Sequence, residues 1–379
     1  MRAPHDALIV GGGPAGAAAA ILLAQAGRDV LLIEREPGPH DKVCGEFISI
    51  EAQRCLEALG VDSIGLGAAV IGRVRLSRGR CQVEAPLPFR ALSLSRRVLD
   101  EALLVRAGAA GARVLRGQRA VRATQAGGIW CVETDRGDRH AGRALFLATG
   151  KHDLRGFGRP PGLQNDLIGL KMHLRRPGGA AAGDCVDLFL FDGGYGGLEM
   201  IESRRVNLCL LVRRSRFAAL GRSWEALLGA IGEGCPAVAA ELSGAIACRP
   251  RPLAVAAIPY GHVSRHAGPD TLYRLGDQFA VVPSFLGEGM AVALHTAGLA
   301  AGAFIAGQGA RAYGRAAARE LGRAARLTTL LSLAAVRTPG QAAAMQAFSL
   351  FPSLLPALAR RTRLGGWASG RGLVCAGLA

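Results

Sequence analysis

Six residues near the N-terminus have the types and spacing to hold a diphosphate. Gly11-Gly12-Gly13-Pro14-Ala15-Gly16 satisfies the pattern G-x-G-x-x-G. Gly11 permits a tight turn, Gly13 lets the backbone approach a pyrophosphate, and Gly16 allows close helix–strand packing. A helix opening at Pro14 would aim its unpaired N–H groups and positive dipole end at the phosphates. Glu34 follows Gly16 by 18 residues, where an acid accepts hydrogen bonds from an adenosine ribose. This spacing serves FAD and NAD equally.

Other reactive residue types are scattered. Cys44 is either a redox or substrate-facing group or a small residue filling a turn, and both readings stay open. Lys171, His173 and Tyr195 could face a substrate, although each would serve equally as an ordinary sheet or surface residue. No acid/base pair or activated nucleophile stands out. The nine cysteines are odd in number and contain no Cys-x-x-Cys pair. A disulfide framework and a zinc site are therefore not expected, no metal is called for, and the thiols suit a reducing cytoplasm.

Elements to position these residues follow from periodicity. Ala7–Val10, Ala15–Gln25 and Val30–Ile33 read as strand, helix and strand, with Gly27 just beyond the helix. The apolar N-terminus runs directly into the glycine loop, so no signal peptide is expected. A helix is expected over 92–108, then strands near Val114, Val121, Ile129–Val132 and Ala144–Ala148. From Asp166 to Arg214 the period becomes two, with Leu170, Met172 and Leu174 alternating with polar neighbours. Helix is expected over 216–245, strand over 249–260, and strand, glycine loop and helix over 272–307. The apolar stretch Met290–Gly307 contains His295 and glycines and reads as a buried helix, not a membrane span. The fold class is α/β: a Rossmann-like cofactor domain (1–160 and 265–310), an inserted antiparallel-sheet substrate domain (161–264) and a helical C-terminal region (311–379).

Charge is uneven. The net +17 divides into +5 over residues 1–150, +3 over 151–305 and +9 over 306–379, where Glu320 is the only acid. Basic residues without interleaved aromatics exclude nucleic acid as the expected partner. A basic tail is ordinarily a solvated face, and weak contact with a membrane or an acidic partner is the alternative. Within it, Gln341–Leu350 is apolar, Pro352 and Pro356 interrupt, and Leu354, Leu355 and Leu358 precede Arg360, Arg361 and Arg363. The prolines break the long amphipathic face that an interfacial helix needs. The expectation is that Phe348, Phe351 and Leu355 pack against the back of the cofactor domain.

Three further segments extend the fingerprint across the chain. They are Lys42-Val43-Cys44-Gly45-Glu46, Ser95-Arg96-Arg97-Val98-Leu99-Asp100, and Gly276-Asp277 with Pro283 six residues on and Gly287-Glu288-Gly289 heading a helix. With the fingerprint, they make the chain resemble the flavoprotein superfamily of geranylgeranyl reductases and para-hydroxybenzoate hydroxylase-type monooxygenases. The resemblance implies FAD as cofactor. It places Arg96 near FAD, Asp277 on the ribityl chain, and the helix after Gly287 and Gly289 at the N1/C2-carbonyl edge of the isoalloxazine. Pro14, Ala15, Arg35, Cys44, Gly45, Gly150, Pro283 and Met290 complete the implied cofactor contacts.

Two departures qualify what is implied. Ala148-Thr149-Gly150 is followed by Lys151-His152-Asp153 rather than an Asp-Gly pair, which puts NAD(P)H as electron donor in doubt. A Trp-x-Trp-x-Ile-Pro halogenase signature is absent, since Trp130, Trp224 and Trp367 are isolated. The implied activity is a monooxygenase hydroxylating an aromatic or polyketide-like small molecule through a C4a-hydroperoxyflavin. The alternative is a flavin-dependent reductase of an isoprenoid or lipid-like substrate, favoured by Cys44-Gly45-Glu46 and the basic, apolar tail.

Overall fold

The computed structural model describes residues 3–176, 183–265, 268–283 and 287–363; Trp367 and Cys375 lie outside them. The chain opens with β1 (His5–Val10), α1 (Pro14–Gln25), β2 (Val30–Glu34), β3 (Phe47–Ile48) and α2 (Ile50–Ala58). The hairpin β4 (Ala69–Arg78) and β5 (Cys81–Ser93) leads to α3 (Arg96–Ala109). Next come β6 (Arg113–Arg116), β7 (Ala120–Ala126), β8 (Ile129–Thr134) and β9 (Arg139–Leu147). A second block holds β10 (Leu167–Arg175), β11 (Cys185–Phe191), β12 (Gly194–Met200) and β13 (Val206–Arg213). Then follow α4 (Arg214–Ala219), α5 (Trp224–Gly234), α6 (Pro236–Leu242), β14 (Ile246–Ala247) and β15 (Leu253–Ala256). The chain ends in β16 (Leu272–Arg274), α7 (Gly289–Ile305), α8 (Ala310–Ala335), α9 (Thr338–Leu350) and α10 (Leu354–Arg361).

The first sheet runs β6-β2-β1-β9-β8-β7, and β16 adds to β9. Its centre is parallel (β6, β2, β1, β9, β16), whereas β7, β8 and β9 are antiparallel. The central strands β1 (from Ala7) and β2 are buried on both faces, and Ala7–Val10 and Val30–Ile33 accordingly read as unbroken apolar runs. Alanines of α1 pack against α7, where small side chains let two helices approach closely. This is the expected α/β class, with the late strand β16 in the cofactor sheet.

The second sheet, β14-β10-β13-β12-β11-β4-β5-β3 with β15 on β10, departs from the expected insertion. It recruits β3, β4 and β5 from residues 47–93, so its strands are not confined to 161–264, and β11 pairs with β4 in parallel. The hairpin carries Val74, Leu76, Val83 and Ala85 on one face, which is buried with Val186, Tyr195 and Leu211. Left beside the first sheet, those side chains would face water. The helical stretch expected over 216–245 is divided into α4, α5 and α6, whose Leu227, Ile231 and Val238 cover the apolar face of β10, β12 and β13.

The tail packs elsewhere than expected. Met345, Leu355 and Phe348 join the second sheet's cluster beside Val83 and Ala85, and not the back of the cofactor sheet. Phe351 is 61% exposed, because the bend between α9 and α10 turns it outward. Gln341 anchors the start of α9, its Nε2 donating to the carbonyls of Phe191, Gly194 and Ala335. Arg363 lies against Glu288 and stacks over Phe89 at 4.4 Å. No single described helix is long and apolar enough to cross a membrane. Deleting residues 341–379 should lower the melting temperature, because it uncovers β5 and strips the cation from buried Glu288. A truncated protein that melts with the full-length chain would contradict this packing.

Candidate functional site

The glycine loop is built by close approach. At Gly11 (φ +105°) a Cβ would lie 2.4 Å from the Ala148 carbonyl oxygen, and at Gly16 one would lie 1.9 Å from that of Gly11. Neither position has room for a side chain, so Gly16 serves packing rather than lining. Gly13 differs: the nearest atom to its Cβ would be an Arg96 guanidinium nitrogen at 3.4 Å. It caps α1 and faces open space where a phosphate group could sit. Glu34, at the end of β2, accepts from Gly12 N at 2.6 Å and Glu36 N at 3.0 Å, tying the loop to the ribose position.

A cavity of about 1350 Å³ runs from this loop between the two sheets. Ligand pockets commonly measure roughly 300–1,000 Å³, so this one has room for a second molecule beside a dinucleotide. Its lining includes Gly11, Gly13, Pro14, Ala15, Glu34, Arg35, Cys44, Gly45, Arg96, Gly150, Gly276, Asp277, Gly287, Gly289 and Met290. Of the expected cofactor residues only Gly16 and Pro283 stand behind the wall.

Two further segments complete the cofactor side. Thr296 Oγ1 on α7 accepts from Gly276 N at 2.8 Å, and Gly276 (φ +55°) sits between Ala15 and Ala293. Gln278 Nε2 donates to the carbonyls of Gly150 and His152, binding the end of β9 to the Gly276-Asp277 turn. Arg96 holds Asp100 in a bidentate pair at 2.7 and 2.8 Å, and Lys42 joins the same carboxylate at 2.9 Å. Burial opposes ionisation of Asp100, but the charges of Arg96 and Lys42 prevail and hold its pKa below the usual range. Arg97, the next residue of α3, is exposed and also borders the cavity.

The wall opposite the fingerprint carries the unexpected chemistry. Glu46, fully buried and with φ 60°, accepts from Arg96 N at 2.8 Å and meets both Lys171 Nζ and His173 Nε2, the latter at 2.7 Å. Burial works against its charge, yet Lys171 and His173 keep its pKa lowered. Glu199 on β12 is 6% exposed and hydrogen-bonded by Asn207 Nδ2 at 3.0 Å. Lys171, His173 and Tyr195 therefore face the cavity, not solvent, and Cys209 shares it with Cys44. Burial pushes the Cys209 thiol up to about 12, which leaves it a poor thiolate. Asp41, Glu46 and His173 bring metal-ligand atom types within 4.8 Å of one another, but Lys171 already supplies a cation to Glu46.

These residues fit FAD. The open cradle at Gly13 would take the pyrophosphate, Glu34 the ribose, Asp277 the ribityl chain, and the α7 N-terminus the isoalloxazine edge. Gly13→Val should fold, with no atom closer than 3.4 Å to its new Cβ, yet purify without flavin; full flavin content would defeat the assignment. Asp277→Ala should keep the fold and weaken FAD binding by roughly 1.5–3 kcal/mol, as for one hydrogen bond to a charged group. Unchanged affinity on titration with FAD would remove Asp277 from the site.

Comparison with known proteins agrees. Residues 5–128 match the FAD binding domain family. A menaquinone reductase of Mycolicibacterium smegmatis is 28% identical over 328 residues, covering 79% of this chain and 76% of the relative. Digeranylgeranylglycerophospholipid reductase 1 of Methanopyrus kandleri is 44% identical over 115 residues, 29% of this chain and 28% of the relative. The halogenase PltM in complex with phloroglucinol and FAD superposes with a TM-score of 0.75 at 15% identity, over 94% of this chain and 82% of that one. At that identity the likeness is one of fold. With the FAD binding domain over residues 5–128, the chain is an FAD-dependent oxidoreductase, and FAD is its cofactor.

Proposed function

We propose that the protein is a flavin-dependent reductase of an apolar, lipid-like unsaturated substrate such as an isoprenoid chain or an isoprenoid quinone. This reverses the order of the two activities that the sequence suggested. The observation that carries it is the second-sheet wall of the cavity. Val74, Leu87, Val186, Leu188, Leu211 and Val255 provide an apolar run, and the charged group Glu46–Lys171–His173 with Glu199 stands at one end. The hydroxylase reading accounted for the lack of an evident acid/base pair in the sequence, and the cavity contains such groups. When bound, FAD supplies a hydride from its reduced form. The chain's part is to orient the substrate's double bond, exclude water and provide a proton.

The tail supports the same reading. One face of α10 lines the cavity through Leu355, Leu358 and Ala359. Beside it Leu350, Phe351 and Leu354 are exposed, flanked by exposed Arg360 and Arg361. Apolar side chains below a cationic rim suit contact with an anionic lipid surface, from which a lipid-like substrate would enter along α10. The reductase relatives are named for substrates of this kind.

The test is anaerobic. Dithionite-reduced protein, freed of excess reductant, is mixed with a short-chain naphthoquinone or a geranylgeranyl lipid, and flavin absorbance is followed. Reoxidation without oxygen, with the acceptor gaining a pair of hydrogens, is expected. Reoxidation only in air, with a hydroxylated product, would overturn the reading in favour of the monooxygenase.

A further inference from the structure

Reducing a carbon–carbon double bond or a quinone takes a proton as well as a hydride. The second sheet offers a source through its register. His173, Asn207 and Glu199 lie in one lateral row across β10, β13 and β12, and Lys171, Cys209 and Gly197 form the next row on the same face. That face lines the cavity, while Leu170, Met172, Leu208 and Leu198 on the other face are packed under α5 and α6. Asn207 Nδ2 donates to Glu199 Oε1 at 3.0 Å and to the Cys44 carbonyl at 3.3 Å, which holds the carboxyl against the Cys44-Gly45-Glu46 turn. Around that turn the cavity is open, with nothing within 4 Å of a Cβ placed on Gly45.

We propose that Glu199 is the acid that protonates the substrate as it is reduced, with Lys171 stabilising the carboxylate left behind. This rests on the reductase reading. One atom of the substrate's double bond takes a hydride, with its electron pair, from reduced flavin. The π pair moves to the other atom, which forms a bond to the Glu199 proton as the carboxyl O–H breaks. The flavin ends oxidised, the substrate has gained a hydride and a proton, and Glu199 regains its proton from water once product leaves. A two-electron donor returns the flavin to its reduced form.

The surroundings favour a proton-holding carboxyl. Burial, opposed by the Asn207 hydrogen bond and reinforced by the charge of Glu46 against that of Lys171, pushes Glu199 up to about 8. The other titratable or charged groups lining the cavity on this side include His173, with Asp41 at 3.8 Å from its Nδ1, Arg175, Tyr195, Arg205 and the thiol of Cys209, and Cys44 and Lys151 face them. Below that pKa the acid is loaded, and its capacity to donate is lost as pH rises through it.

The test compares full-length, FAD-loaded wild type with Glu199→Gln, which can still accept from Asn207 but holds no transferable proton. Infrared difference spectra across neutral and alkaline pH should show protonated-carboxyl absorption titrating near 8 in the wild type, and E199Q should lose the Glu199 share of it while the share of Glu288 remains. Anaerobic reoxidation by a short-chain naphthoquinone should slow roughly 100-fold in E199Q, within the span of general acid catalysis. Reoxidation by ferricyanide, which takes electrons without protons, should not change, and Glu199→Asp should recover part of the quinone rate. Equal slowing with both oxidants would mark a structural role, and an unaltered quinone rate or an unaltered infrared band would overturn the proposal. A wild type that no quinone reoxidises would instead contradict the functional reading itself.

Discussion

Everything at the interface of the two sheets turns on the carboxylate of Glu46. It is fully buried, and it binds the first N–H of α3 on the cofactor side and Lys171 and His173 on the substrate side. A buried ion pair is weak evidence of stability, because desolvating its charges offsets most of their attraction. Its value here is registration. The backbone of Glu46 adopts φ 60°, a conformation that costs an ordinary residue about 1–3 kcal/mol, and its three partners hold it there. That turn in turn fixes Cys44 and Gly45 at the cavity surface and sets the second sheet over the cofactor loop.

The same division of labour recurs around the cavity. Glycines at Gly11 and Gly16 let strand, loop and helix approach to distances no side chain would allow, and Gly13 leaves room for a ligand. Alternation in β10, β12 and β13 then sends leucines toward α5 and α6 and polar groups into the cavity. Arg363, from the end of the chain, reaches Glu288 at the head of α7 and lies 3.7 Å from Glu51. Burial and the nearby Glu51 push Glu288 up to about 8 despite Arg363, so the tail bears on the charge at the helix terminus that would face the flavin.

Local signals were legible in the sequence where local geometry alone decides them. The fingerprint, Glu34 and the return to the first sheet at β16 depend on spacing and on glycine, and those features are written in short stretches. The segments holding Lys42–Glu46, Arg96, Gly276-Asp277, Gly287 and Gly289 came through resemblance, and the structure brings these residues to one cavity. Lys171 and His173 were open to either reading and Glu199 was not singled out, because alternation marks two faces of a strand without saying whether the polar one meets water or a ligand. Glu46 was quoted within its segment but not recognised, since its partner His173 lies 127 residues away. The β4–β5 hairpin carried a usable signal, with Val74, Leu76, Val83 and Ala85 alternating with charged or polar residues, and only its joining of a distant sheet was beyond reach.

The central claim is that the cavity reduces an apolar substrate instead of inserting oxygen into it. Mass spectrometry of the product formed by the reduced protein under isotopically heavy oxygen gas addresses this directly. The account predicts a product heavier than its substrate by a pair of hydrogens and free of the heavy isotope. Incorporation of heavy oxygen into the product would contradict it.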